Sequence, residues 1–254
     1  MKINLFIIGI GNAVVRYLFN KSDVFVFFIF PVVLTGQIKQ LWPLDSQTCE
    51  SEVLGNTYKH NTVCMHSFAA QPPDIPFRSM FFDGSIYVDS PVNFSASTID
   101  HYSVQGLFYF TQNTGVLFHY RAEQSDAEVI LSINYGKLQL YRKVTSGADA
   151  TYSGGISISI NTWYDISFGV GRAGVVYVNV NGNRDIEIGN IHLYPRNTTE
   201  IPGNLRIGAS LDGLSNTAFH GIITCVGFIW SENEPLISEL LKLCEATPWM
   251  RKYL

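Results

Sequence analysis

The chain of 254 residues is long enough for one large domain with a full hydrophobic core, or for two small ones. Its 46% hydrophobic and 15% charged content excludes a disordered chain, and 17 Lys+Arg against 21 Asp+Glu leave no basic excess for nucleic-acid phosphates. Seventeen Phe, thirteen Tyr and 21 Gly favour β-structure.

Residues 1–36 differ in kind from the rest of the chain. Ile3–Phe19 is mostly apolar but holds Arg16; after the polar break Asn20–Asp23 comes the uncharged apolar run Val24–Leu34. That run is short for a bilayer span and has the length of a signal-peptide core. With Lys21 before it and Thr35-Gly36 after it, the segment reads as a secretory signal. The other reading is an uncleaved anchor made of both apolar runs, which holds the rest of the chain outside the cell. Both readings place the remainder in an extracellular setting, with a main domain expected over 37–232 and a tail over 233–254.

That setting governs the four cysteines, Cys49, Cys64, Cys225 and Cys244. An even count in an oxidising compartment reads as two disulfides, for which three connectivities exist. Cys49–Cys64 and Cys225–Cys244 close the two shortest loops and are the expected pairs. His60 and His66 flank Cys64, yet the absence of any C-x-x-C leaves a zinc site without its usual ligand spacing. Sequons stand at Asn20, in the leader, and at Asn93 and Asn197. The last two follow Pro91 and Pro195 in expected loops and are the expected glycosylation sites.

From residue 79 onward the chain alternates at period two. Ile156, Ile158 and Ile160 alternate with Ser157, Ser159 and Asn161, while Tyr164, Ile166, Phe168 and Val170 alternate with Trp163, Asp165 and Ser167. Val176, Val178 and Val180 alternate with Tyr177, Asn179 and Asn181, and Leu138 and Leu140 oppose Lys137, Gln139, Tyr141 and Lys143. Strands of this kind bury one face and wet the other, as antiparallel sheets do. Turn signals separate them, among them Gln112–Gly115, Asn134-Tyr135-Gly136, Ser146-Gly147, Asn181-Gly182 and Asp212-Gly213. About ten or more short strands without intervening helices predict an all-β, two-sheet antiparallel sandwich of the jelly-roll kind. Only Pro235–Ala246 carries a helical stripe (Leu236, Ile237, Leu240, Leu241, Cys244), which predicts one short C-terminal helix. Ahead of it, simple alternation puts Ile222, Thr224, Val226 and Phe228 on one strand face, and Ile223, Cys225, Gly227 and Ile229 on the other. A short turn then folds the helix back and brings Cys244 to Cys225.

Seven segments occur in an order that resembles laminin G-like domains, members of the concanavalin A-like lectin and glucanase superfamily. They are Phe82-x-Gly84-x-x-Tyr87-Val88, Thr114–Phe118, Val129–Leu131 with Gly136–Leu138, Asn161–Ile166, Val178–Gly182, Leu205–Gly208 and Phe219–Ile223. The resemblance covers roughly residues 79–230. It implies that Leu41–Asp45 is a lead-in strand pairing near the chain's end, and that Trp163 fills the space between the sheets. It also implies a calcium ion at one rim. The matching ligand is Asp126, with a loop carbonyl near Val144–Gly147; the second acid expected before Leu205 is missing, only Glu200 being near.

Glucanases of this fold set carboxylates on alternate positions of one strand. The nearest pattern here, Asp185-Ile186-Glu187, stops at two acids beside a tight turn and reads as solvated charge. No G-x-S-x-G and no H-E-x-x-H occurs. The chain reads as non-enzymatic, and the resemblance implies an extracellular module that binds glycans or matrix and cell-surface proteins through rim loops. The alternative is a structural spacer; a glycan-degrading enzyme ranks last. Tyr120, Tyr141 and Tyr177 fall on or near polar faces and are the candidate stacking residues for a sugar ring.

Overall fold

Period-two alternation becomes strand wherever one face has a core to bury. The computed structural model describes residues 5–10, 13–18, 36–42, 44, 59–60, 66–67, 79–92, 101–123, 127–143, 149–170, 175–189, 203–213, 217–231, 240 and 244. Strands β1 (Leu5–Ile10) and β2 (Ala13–Leu18) pair as a separate hairpin. Next in chain order are β3 (Gly36–Trp42), β4 (Lys59–His60), β5 (His66–Ser67), β6 (Ser79–Asp83), β7 (Val88–Val92) and β8 (His101–Phe110). After these come β9 (Thr114–Ala122), β10 (Glu128–Asn134), β11 (Lys137–Lys143), β12 (Ala150–Ser157) and β13 (Trp163–Val170). The last four are β14 (Val176–Val180), β15 (Asn183–Ile188), β16 (Gly203–Ile207) and β17 (His220–Ser231). Among the described residues no helix is long and apolar enough to cross a membrane.

These strands build an antiparallel two-sheet sandwich. One sheet has seven strands in the order β12-β11-β10-β9-β16-β7-β4. The other has eight, β15-β14-β13-β8-β17-β6-β5 with β3 added against β17. The long strand β17 pairs with β8 along one edge; along the other it pairs first with β6 and then with β3. The expected lead-in strand thus lies beside the last strand, with Trp42 and Leu44 fully buried.

The predicted apolar faces meet in the middle. Tyr164, Ile166 and Phe168 join Val176, Val178, Val180, Leu138 and Leu140 in one core, whose centre is a cage of rings. Phe108 lies edge-on to Phe118 at 5.3 Å and to Phe219 at 6.0 Å, and Phe110 meets Phe219 at 5.5 Å. Each such buried ring contributes about 1.5–3 kcal/mol by area alone, with a further gain from edge-to-face geometry. At one side the sheets close on each other: the Ile156 N–H of edge strand β12 donates to Asp185 Oδ1 of edge strand β15 at 2.7 Å. Gly154 leaves room for this, since a side chain there would meet the Asp185 carboxylate.

Three expectations need correction. Strand β12 ends at Ser157, so Ile160 falls in the following turn and is 49% exposed instead of joining Ile156 and Ile158 inward. Trp163 lies on the outer face beside Tyr109 and not between the sheets, because it shares the parity of Asp165 while Tyr164 and Ile166 take the core. The faces of β17 also differ from simple alternation. Its register jumps between Thr224 and Gly227, and Cys225 has φ +49°, so a bulge shifts the core-facing set to Ile223, Val226 and Phe228.

The bulge turns Cys225 outward, where it is joined to Cys244 with a Cα–Cα separation of 5.9 Å. Gly227, also on the outer side, accommodates Leu240, which a side chain at 227 would displace. Of the predicted helix, only Leu240 and Cys244 are described; both are helical and fully buried. The bridge spans a sequence separation of 19 and stabilises by about 3 kcal/mol through constraint of the unfolded chain. Cys49 and Cys64 lie outside the described residues.

Candidate functional site

One rim of the sandwich collects four connections: 111–113 between β8 and β9, Tyr135-Gly136 between β10 and β11, 158–162 between β12 and β13, and Asn181-Gly182 between β14 and β15. Backbone bonds tie these loops into one surface. Gly136 N–H donates to Asn113 O at 3.1 Å, Ile158 N–H to Gly136 O at 2.7 Å, and Asn161 N–H to Phe110 O at 2.7 Å. The Asn181 turn is fixed to β13, since Asn181 N–H donates to Asp165 O at 2.8 Å and Asp165 N–H to Asn181 Oδ1 at 2.9 Å. Beside these loops Tyr109 and Trp163 stand with ring centroids 5.4 Å apart, and the Tyr109 hydroxyl donates to Asn161 Oδ1 at 3.4 Å.

The rim surface is amide- and hydroxyl-rich and carries no charge in any of the four loops: Gln112, Asn113, Asn161, Thr162 and Asn181 are all exposed. The adjoining Lys137 gives its ammonium group to Gly155 O at 3.3 Å. The large apolar side chains exposed among the described residues are Ile160 and Tyr135, the latter at 83%. Tyr135 has φ +48° and is followed by Gly136 at φ +74°. A two-residue hairpin turn of this hand prefers Asn or Gly at its first position, and a bulky side chain there is strained by about 1 kcal/mol or more. No packing offsets that strain, because the ring stands in solvent.

A second cluster occupies the outer face of the seven-stranded sheet. On β9, Phe118 and Tyr120 point into the core, and the opposite parity sends His119 and Arg121 outward. Arg206 of β16 and Ile130 of β10 lie beside His119, and Glu128 lies beside Arg121. The loop 208–213 folds over this face and buries His119 completely. Leu211 N–H donates to His119 Nδ1 at 2.8 Å, so the ring proton sits on Nε2, which donates to Glu128 Oε1 at 2.5 Å. Burial holds the His119 pKa below the usual histidine value, with Glu128 opposing the shift in part. Arg121 donates to Glu128 and, at 2.7 Å, to Asp212, which keeps the Asp212 carboxyl below its ordinary range. Arg206 forks onto Asp89 at 2.6 and 2.8 Å, donates to Ser210 O at 2.9 Å and lies 3.9 Å over the Tyr87 ring.

His119, Glu128 and Asp212 converge closely enough to suggest a metal centre. Arg121 already stands among them as the cation, bonded to both carboxylates. The triad is therefore a compensated ion cluster.

The eight-stranded sheet treats charge differently. Asp165 lies half-buried on its outer face, where among the described residues the carboxylate receives the Gln105 amide at 3.2 and 3.4 Å. Burial pushes its pKa up to about 6, against the lowering effect of Gln105.

The residues expected from the sequence fare unevenly. Tyr120 and Tyr177 are buried, the first in the core and the second with Arg184 stacked 4.3 Å over its ring, so neither presents a face to a sugar. Tyr141 is half-buried, and its hydroxyl donates to Asp149 at 2.9 Å. Asp185 is bound to the β12 backbone instead of standing solvated, while the exposed Glu187 pairs with Arg184 at 3.4 Å. Asp126, Asn93 and Asn197 lie outside the described residues. The loop of Asp126 is closed by Ala122 N–H donating to Ala127 O at 3.0 Å.

Tyr135 was visible in the sequence as part of a turn signal, but not as a site; the signal that could have singled it out is a bulky ring where the turn prefers Asn. The Arg121–Glu128 pair flanks one hairpin loop and could have been placed by register. Arg206–Asp89, 117 residues apart, left no local trace.

No protein-family model matches this sequence, and no curated protein matches it. Among solved structures, domain 4 of AbnA, an extracellular GH43 arabinanase from Geobacillus stearothermophilus in complex with arabinotriose, is similar over 83% of this chain and 99% of its own, with 15% identity and a TM-score of 0.59. The binding domain of botulinum neurotoxin serotype D is similar over 82% of this chain and 50% of its own, with 8% identity and a TM-score of 0.53. Mouse laminin α1 domains LG4-5 give 13% identity and a TM-score of 0.42 over 67% of this chain and 49% of theirs. The likeness is one of fold: an antiparallel two-sheet sandwich of the jelly-roll kind.

Proposed function

We propose that this chain is a non-catalytic, extracellular binding module that takes an uncharged saccharide on the rim formed by 111–113, Tyr135-Gly136, 158–162 and Asn181-Gly182. The observation that carries this reading is Tyr135. A tyrosine held in the left-handed region and 83% exposed costs stability and returns little to the fold. A flat ring presented at a loop apex is what stacking on a sugar face requires. The surrounding amides and hydroxyls match sugar hydroxyls, and the charge-free loops favour a neutral ligand over a sulfated or sialylated one. The arabinanase domain of the same fold is described in complex with arabinotriose, which lends the architecture an analogy and no more. Asp185 and Glu187 are tied to the Ile156 backbone and to Arg184, which argues against their serving as an acid–base pair. The Cys225–Cys244 disulfide supports an oxidising, extracellular setting.

A glycan array probed with the secreted chain tests the proposal. Binding confined to neutral saccharides, with the bound saccharide recovered intact, is the expected result. A blank array, binding only to acidic glycans, or retention of a protein partner through this rim would overturn it.

A further inference from the structure

Beyond the binding rim, the geometry points to a proton-operated latch: protonation of His119 evicts the Leu211 N–H from Nδ1 and releases the loop tip 211–213 from the seven-stranded sheet. The imidazole has two nitrogens, and both are in use. Nδ1 accepts from a backbone N–H, which can only donate, and Nε2 carries the single ring proton to Glu128. A second proton can therefore land only on Nδ1, where it faces the Leu211 N–H donor against donor. Among the described residues the acceptor facing Nδ1 is Ser210 Oγ at 3.2 Å, which already accepts Asp212 N–H at 3.1 Å. The new imidazolium also draws on Glu128, which it shares with Arg121, and Arg121 is the group that holds Asp212 at the tip of the loop.

The surrounding charges define how far the release extends. On β9 stands Arg121, on β10 Glu128, on β16 Arg206, on β7 Asp89, and on the loop itself Asp212. Arg206 is forked onto Asp89 independently of His119, and its contact with Ser210 O anchors the base of the loop. The segment freed is accordingly 211–213. Burial under the loop keeps His119 neutral near pH 7, and the latch opens on the acidic side of the usual histidine range.

The test is residue-resolved NMR on the full chain. At about pH 7.5 the His119 nitrogen shifts should report the Nε2–H tautomer, and the Leu211 amide should be protected from exchange; at about pH 5, with intrinsic rates corrected, its protection should fall at least roughly tenfold. His119→Asn places a non-titrating oxygen near the Nδ1 position, so Leu211 should stay protected at both values. Glu128→Gln removes the group that favours the imidazolium and should shift release to lower pH. Equal Leu211 protection at both values in the unaltered chain overturns the latch, whether or not either variant folds. The same acid-dependent loss in folded His119→Asn also overturns it.

Discussion

Two hairpin turns on one rim have the same backbone and opposite logic. Asn181-Gly182 has φ values of +51° and +74°; Tyr135-Gly136 has +48° and +74°. In the first turn the residue suits the conformation, and its side chain works for the fold by accepting the Asp165 N–H. In the second a tyrosine occupies the same strained position and its ring touches no core. The first turn is built for stability, while the second gives up stability to present a ring.

The largest stability change is expected where the Asn181 turn meets Asp165, whose backbone it holds. Asp165 has its pKa raised to about 6, so the folded chain retains a proton that the unfolded chain loses at lower pH. The stabilisation this proton provides is complete below about pH 4 and is lost as pH rises through about 6. Asp165→Asn should flatten that decline and raise stability at neutral pH by about 2 kcal/mol, allowing for partial exposure of the group. Urea unfolding across pH measures it; an unchanged slope would show the carboxyl to be well compensated.

Exchanging the turn residues comes next. Asn181→Tyr should cost about 1.5 kcal/mol, combining left-handed strain with loss of the bond to the Asp165 N–H. The reverse change, Tyr135→Asn, should stabilise by about 0.5–1 kcal/mol. Thermal unfolding of both variants decides whether the turns differ as described; destabilisation by Tyr135→Asn would mean that the ring packs on something after all.

The same contrast explains what was legible in the sequence. Strands such as Tyr164–Phe168 and Val176–Val180 could be read because each buries one face, and period two records that directly. Asn181-Gly182 was legible because its composition matches its backbone. Trp163 was misplaced by the resemblance, although alternation had already grouped it with Asp165; Ile160 was misplaced because parity holds only while a strand continues unbroken. The bulge at Cys225 inverted the faces of β17 for the same reason. The His119 cluster was invisible for another cause: the loop that buries it joins residues 91 and 92 positions apart, and charges at such separations leave no periodic signal. Tyr135 stood in plain view inside a turn motif, but only its φ and exposure mark it as out of place.

The most direct measurement is a side-by-side titration of the unaltered chain and Tyr135→Asn against the best neutral saccharide from the array. Removal of the stacking ring should weaken binding by about tenfold to a hundredfold, on the scale of 1–3 kcal/mol, while the unfolding midpoint rises. Equal affinity in the two proteins, with the variant fully folded, would contradict the account.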